Sequence, residues 1–342
     1  AAAAASPEVP MDFGFSDEQE LLRAEVRKLL DRDAPLERVR EWMASDIGFD
    51  RPLWLRMAEL GWVGLTIPEE HGGSGLDFVT SVVLFEETGR TLLPSPLVSN
   101  TVAATAIARA GSDAQRARWL PSLADGSRIA TFAYLESSDR HDAAGIALEG
   151  KRDGDTTWLT GEKTLVSDTV AADLVVVAYR SGPEADAVSL AVVERGADGL
   201  EVEHFPTIDA TKRTGRVGLR DVRVGPDERL GEEGGAGATF RHLLDVGALL
   251  VTAEAVGAAE AAVSITSEFA KQRVQFGSPI GRYQGVKHPL AEAHVDVESF
   301  KSLTYYAAWA VDEGAEDASR AVSRAKAYAS EAMPRIGICL LY

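Results

Sequence analysis

Apolar residues recur every three to four positions along two long stretches of the chain. In the first, Ala238 to Gln272, they include Leu243, Leu244, Val246, Leu250, Val251, Val256, Val263, Ile265 and Phe269. In the second, Val286 to Trp309, they are Val286, Leu290, Val295, Val297, Phe300 and Leu303. That spacing predicts two long helices. Gly277, Pro279 and Gly281 interrupt the pattern between them, so the pair reads as a hairpin closed by a Gly/Pro turn. Four cations, Lys271, Arg273, Arg282 and Lys287, gather at this turn. Compensation of the helix dipole would explain them, and so would a phosphate pocket.

The N-terminal part is also helical by pattern. Ser16 and Gln19 have capping-box spacing ahead of Leu21, Leu22, Val26, Leu29 and Leu30. Further helices are predicted from Pro52 to Leu60, closed by Gly61, and over Asp77–Thr91, Ser99–Ala110 and Ala114–Leu120. The segment Gly61–Phe78 carries Gly72, Gly73 and Gly75 but lacks the lysine and the strand–loop–helix setting of a phosphate loop. It is read as a turn. From Ile129 the period shortens. Ile129–Tyr134, Thr156–Leu159, Leu174–Ala178, Ala187–Val193, Leu200–Glu203 and Arg216–Val224 are rich in β-branched residues and separated by Gly, Asp and Pro. They predict a small antiparallel barrel or sandwich. The Gly-rich stretch Gly231–Phe240 reads as a hinge into the long helices. The fold class is therefore α+β. An N-terminal helical domain (11–128) leads into a β domain (129–232) and then an antiparallel helical bundle (233–342).

Composition narrows the function. The 342 residues carry 45% hydrophobic residues and a formal net charge of −18. That balance argues against nucleic-acid backbones and anionic membrane surfaces, and any anionic ligand must be met by local cations. The apolar run Val246–Val263 contains Glu254 and Glu260, so no membrane insertion is expected from it. The single cysteine, Cys339, excludes an intrachain disulfide and fits a cytoplasmic location. Ala1–Pro10 lacks the basic start of a signal peptide and is read as a tail. His71, His242, His288 and His294 are scattered without metal-ligand spacing, and no metal is expected.

RVQFGSPIGRYQGVKH, Arg273 to His288, resembles the signature R-x-Q/T-F-G-x-x-I/L-x-x-x-Q of the acyl-CoA dehydrogenase family. FGFSDEQELL, LGWVGLTIPEEHGGSGLDF, LFEETGR and WLPSLADGSRIATFAYLE extend the resemblance from Phe13 to Ala332. It implies the same helix–strand–helix architecture. It also implies FAD as cofactor, an acyl-CoA substrate drawn from fatty acid or lipid catabolism, and α,β-dehydrogenation by α-proton removal with hydride transfer to the flavin. Arg273, Gln275, Phe276 and Gln284 then contact the FAD of a neighbouring subunit, and a homo- or hetero-oligomer, dimer or tetramer, follows. An electron-transfer flavoprotein is the implied acceptor. Flavin-facing positions on the β domain fall at Tyr134, Leu135, Val166 and Ser167. Leu135 stands where the family carries Thr, and Leu165 where it carries Trp. Asp245 falls near the CoA moiety.

The resemblance does not supply the base. The family's usual glutamate follows a Q-x-x-G-G-x-G segment near the C-terminus, which the closing MPRIGICLLY does not resemble, so the bundle is expected to be incomplete. The alternative family position aligns with Gly247, followed by Ala248 where an Arg often stands. Glu254 lies two turns further on roughly the same face and is the remaining candidate, against a structural role in the helix. Three readings follow. The chain is a dehydrogenase in its own right, or a non-catalytic subunit that contributes to a partner's FAD site, or a binding protein on this fold.

Overall fold

The computed structural model describes residues 14–184 and 187–341. The expected tail at Ala1–Pro10 and the side chain of Cys339 fall outside what it describes. Six helices come first: α1 (Asp17–Asp33), α2 (Leu36–Met43), α3 (Arg51–Glu59), α4 (Phe78–Arg90), α5 (Leu97–Ala110) and α6 (Asp113–Ala124). The capping box at Ser16 is present in full, with Gln19 returning a bond to the cap. A second one, Ser112 with Gln115, starts α6. Helix α2 was not predicted; at eight residues it is too short to display a period clearly. The glycines after Pro68 form a turn, with Gly72 left-handed at φ 82°.

Eight strands follow: β1 (Ala130–Ala133), β2 (Gly150–Asp153), β3 (Thr156–Ser167), β4 (Leu174–Arg180), β5 (Val188–Glu194), β6 (Leu200–Phe205), β7 (Thr214–Val224) and β8 (Arg229–Leu230). They form two four-stranded sheets, in the orders β1-β4-β5-β8 and β2-β3-β7-β6. The sheets meet through Val175, Val177, Tyr179 and Val193 on one side and Leu159, Val217, Leu219 and Val222 on the other. This is a sandwich and not a closed barrel, and β1 pairs with β4 in parallel, which the antiparallel expectation did not foresee. The alternate residues Leu174, Val176 and Ala178 face the helices instead. Strand β4 is thus covered on both faces, which accounts for its unbroken apolar run. Strand β3 continues past the predicted Leu159 to Ser167 through two register shifts.

The last helices are α7 (Gly237–Gln272), α8 (Gln284–Asp312) and α9 (Ala318–Leu341). A small hairpin, β9 (Val274–Gln275) with β10 (Ser278–Pro279), joins the first two. Among the described residues α7 alone is long and apolar enough to cross a membrane. Here it is the central helix, packed against α4, α5, α8 and α9. Its contact with α4 is backbone to backbone. A Cβ on Gly257 would come within 1.8 Å of the Glu86 carbonyl oxygen, and one on Gly89 within 1.9 Å of the Glu254 carbonyl oxygen. Gly257→Val is therefore expected to force the helices apart at a cost of about 1–3 kcal/mol or more. Thermal unfolding checks this, and an unchanged midpoint would refute it.

Candidate active site

Where α5, α7 and α9 meet the edge of the sandwich, a cavity of about 1070 Å³ opens. Its apolar end is lined by Val98 and Val102 of α5 and by Gly247, Ala248 and Val251 of α7. Its floor is Thr131, Phe132 and Tyr134 at the end of β1 and Ser167 at the end of β3. Towards the N-terminus of α7 the wall turns polar, with His141, Asp142, Arg241 and Asp245. Ser319, Ser323, Lys326 and Ser330 close it from α9. These four follow the i, i+4, i+7, i+11 spacing of one helical face.

The floor is held rigidly. The Phe132 and Tyr134 rings stack with centroids 5.2 Å apart, and both meet Phe240 edge-on. The Tyr134 hydroxyl and His141 Nδ1 are 2.7 Å apart. Burial raises the phenol above its ordinary pKa, so Tyr134 stays neutral. Thr131 donates its hydroxyl to the Ser167 carbonyl at 2.6 Å, tying β1 to the end of β3. Beneath this floor lies a fully buried ammonium, Lys163. It donates to Glu136 at 2.5 Å and to the Tyr134 carbonyl at 3.2 Å. Glu136 in turn accepts from the Ala147 and Leu148 amides. Burial pushes Lys163 down to about 8, against the pull of Glu136.

The sequence-predicted residues divide into two groups. Tyr134, Ser167 and Asp245 line the cavity. Leu135 and Val166 are buried beside it, and the Thr164 amide donates to the Leu135 carbonyl at 2.8 Å. Asp245 accepts from Ser319 across the α7–α9 gap. Arg273, Gln275, Phe276 and Gln284 lie elsewhere, on the hairpin at the far end of α7 and the start of α8. Arg273 is 28 positions beyond Asp245 (273 − 245), which at about 1.5 Å per residue is roughly 40 Å along the helix. One chain does not bring the two groups together. Glu254 does not line the cavity either. It shares the Gly247 face but stands one turn beyond Val251, where the loop before β7 covers it and Lys212 binds its carboxylate at 2.7 Å. Thr131, His141, Lys163 and the α9 row were not singled out from sequence, because their roles depend on contacts between distant segments.

These residues fit the FAD that the resemblance implies. Arg273 is exposed and, among the described residues, its guanidinium makes no ion pair, as suits a phosphate ligand. Phe276 is 94% exposed in a left-handed conformation at φ 51°. Leu165 is likewise held outward, 53% exposed at φ 48°. Such exposed apolar side chains on strained backbone suit flat ring surfaces. The Ser167 hydroxyl, at the cavity floor, has no protein partner among the described residues.

Comparison with known proteins agrees with this geometry. Residues 16–127 match the model of the acyl-CoA dehydrogenase N-terminal domain. Residues 235–338 match that of the acyl-CoA dehydrogenase C-terminal domain. The chain is 32% identical to the acyl-CoA dehydrogenase IpdE2 of Mycolicibacterium smegmatis over 94% of its own length and 85% of that protein. Among solved structures, the glutaryl-coenzyme A dehydrogenase glutaryl-CoA complex superposes with a TM-score of 0.89 at 28% identity, covering 97% of this chain and 86% of that one. The ChsE4-ChsE5 complex from Mycobacterium tuberculosis gives 0.87 at 27% identity, covering 96% and 87%. With the helix–sandwich–helix fold, the cavity and these matches together, the chain belongs to the acyl-CoA dehydrogenase family, FAD-dependent flavoprotein oxidoreductases that act on CH–CH bonds.

Proposed function

We propose that the chain binds an acyl-CoA with its acyl group at the apolar end of the cavity and takes part in its α,β-dehydrogenation. The observation that carries this reading is the two-ended cavity itself. Val98, Val102, Ala248 and Val251 suit hydrocarbon, while Arg241, Asp245 and His141 suit the polar thioester and pantetheine side. Bound FAD supplies the acceptor for the β-hydrogen as hydride. On this reading Ser167 and Tyr134 face the flavin end, and Arg273, Phe276, Gln275 and Gln284 complete the flavin site of a neighbouring copy. The roughly 40 Å separation along α7 supports that sharing, and it requires at least a dimer. An electron-transfer flavoprotein as the acceptor belongs to the same reading.

The test is anaerobic titration of the FAD-loaded oligomer with acyl-CoAs of increasing bulk. Loss of the flavin's visible absorbance is expected, and a flavin that no acyl-CoA bleaches would refute the proposal. Gly247→Leu probes the cavity directly. A Cβ there would meet only Val102, at 3.7 Å, so the fold should accept it. The longer side chain would project into the apolar end. KM for bulky acyl groups is expected to rise on the order of tenfold, the effect of one or two misplaced methylenes, with short acyl groups little affected. Equal effects on both would count against this placement of the acyl group.

A second reading draws on the engagement of Glu254. Its carboxylate is bound to Lys212, and the carboxylates that line the cavity among the described residues are Asp142 and Asp245. Asp142 is held by Arg140 and by the Gly145 amide. The proton acceptor would then come from a partner chain in a hetero-oligomer, and the similar structure of the ChsE4-ChsE5 complex, by its name, joins two components. Full turnover by the purified homo-oligomer would exclude this second reading.

A further inference from the structure

Directly behind Ser167 lies a charge cluster that the reaction as described does not use. Asp168 follows Ser167 in a left-handed conformation at φ 53°. Its amide donates to the Arg213 carbonyl at 2.7 Å, and its carbonyl accepts from Ala171 and Ala172. The backbone there is pinned, one step of about 3.8 Å from the residue that lines the cavity floor. Ser99, also a cavity residue, donates its hydroxyl to Asp168 Oδ2 at 2.5 Å. From the loop before β7 Lys212 reaches Glu254 at 2.7 Å, and its charge also acts on Asp168. The cluster thus holds two carboxylates and one ammonium. Lys212 forms its ion pair with Glu254, and among the described residues the Asp168 carboxylate has Ser99 as its hydrogen-bond partner, so an ionised Asp168 leaves this group of three with one negative charge in excess.

From this geometry we infer that Asp168, with Lys212 and Glu254, sets the reduction potential of the bound flavin through its charge. The inference rests on the FAD site proposed above. A hydride delivered to the flavin adds negative charge, so a carboxylate behind the floor disfavours reduction and a cation favours it. Asp168 is a positioning charge and not a group that touches the substrate.

The groups that act on Asp168 are Ser99 from α5, Lys212 from the loop before β7 and Glu254 from α7, and Asp209 of that loop acts on Lys212. Desolvation lowers the affinity of Lys212 for its proton, but Glu254 and Asp168 outweigh it, so the ammonium stays charged. Burial pushes the Asp168 carboxyl up to about 6, so it is ionised in mildly alkaline solution and neutral in mildly acidic solution.

The experiment is redox titration of the flavin in the FAD-loaded oligomer, comparing the unsubstituted protein with Asp168→Asn and Lys212→Met. At about pH 8 Asp168→Asn is expected to shift the equilibrium about tenfold towards reduced flavin, which is ~30 mV upward for a two-electron couple. Lys212→Met is expected to shift it the opposite way. At about pH 5 the difference made by Asp168→Asn should vanish, because the native carboxyl is then protonated. A merely structural role would not produce opposite signs or this pH dependence. Should either substitution fold poorly, Glu254→Gln gives the same sign as Asp168→Asn. Equal potentials in all variants, or shifts of one sign, would overturn the charge role while leaving the FAD site intact. A protein that takes up no FAD would overturn both.

Discussion

Two chains that each fail to hold FAD are expected to restore it together. Arg273→Ala removes a guanidinium that makes no ion pair among the described residues of the single chain. Lost charged hydrogen bonds of about 1.5–3 kcal/mol correspond to roughly 10- to 150-fold weaker FAD binding. Ser167→Trp fills the cavity floor at an exposed position, so the fold should survive while the flavin end is blocked. In a hybrid dimer one site receives the intact floor of the first chain and the intact arginine of the second. The other site carries both defects. Random pairing of equal amounts should leave about one site in four able to bind flavin, given an isologous two-fold interface. Flavin per chain after co-expression and desalting measures this. If the mixture holds no more flavin than the two variants separately, the sites are not shared.

The second large effect is expected beneath the cavity. Lys163→Met leaves Glu136 without its cation at a side chain only 11% exposed. Breaking a buried pair from one side costs about 3–5 kcal/mol, which corresponds to a fall in Tm on the order of 10 °C. The Lys163→Met/Glu136→Leu double variant removes both charges and should recover much of that loss. Recovery is not expected to extend to FAD affinity, because the ammonium also holds the Tyr134 carbonyl and so the strand end proposed to support the flavin. Calorimetry and FAD titration of the three proteins separate the two effects. A single variant as stable as the unsubstituted protein would refute the assignment.

The chain resolves into what is local and what is not. Helices α7 and α8 were legible because a helix repeats its core contacts every three to four residues, and that period is written directly in the order of residues. The cap at Ser16 was legible for the same reason: both bonds of its box span three positions. The signature at Arg273–Gln284 lies within one turn between two helices, so it too could be read linearly. The β domain was legible as a set of strands, but its pairing was not. Strand β1 lies beside β4 in parallel, and 44 positions separate paired residues such as Thr131 and Val175, so only packing brings them together. Strand β3 bends through two bulges that displace its apolar alternation, which hid its second half.

Order along the chain therefore determined the helix–strand–helix architecture and the family, and it supplied the residues proposed to face flavin. It did not determine the site as a place. The cavity joins α5, β1, β3, α7 and α9. The buried Lys163–Glu136 pair spans 27 positions, Lys212–Glu254 spans 42, and Ser99–Asp168 spans 69. Glu254 shows the difference most clearly. By helical spacing it shares a face with Gly247, yet only the packed loop carrying Lys212 decides that its carboxylate meets an ammonium and not the cavity. Periodicity specifies which way a residue points on its own helix, and tertiary packing specifies what it meets there.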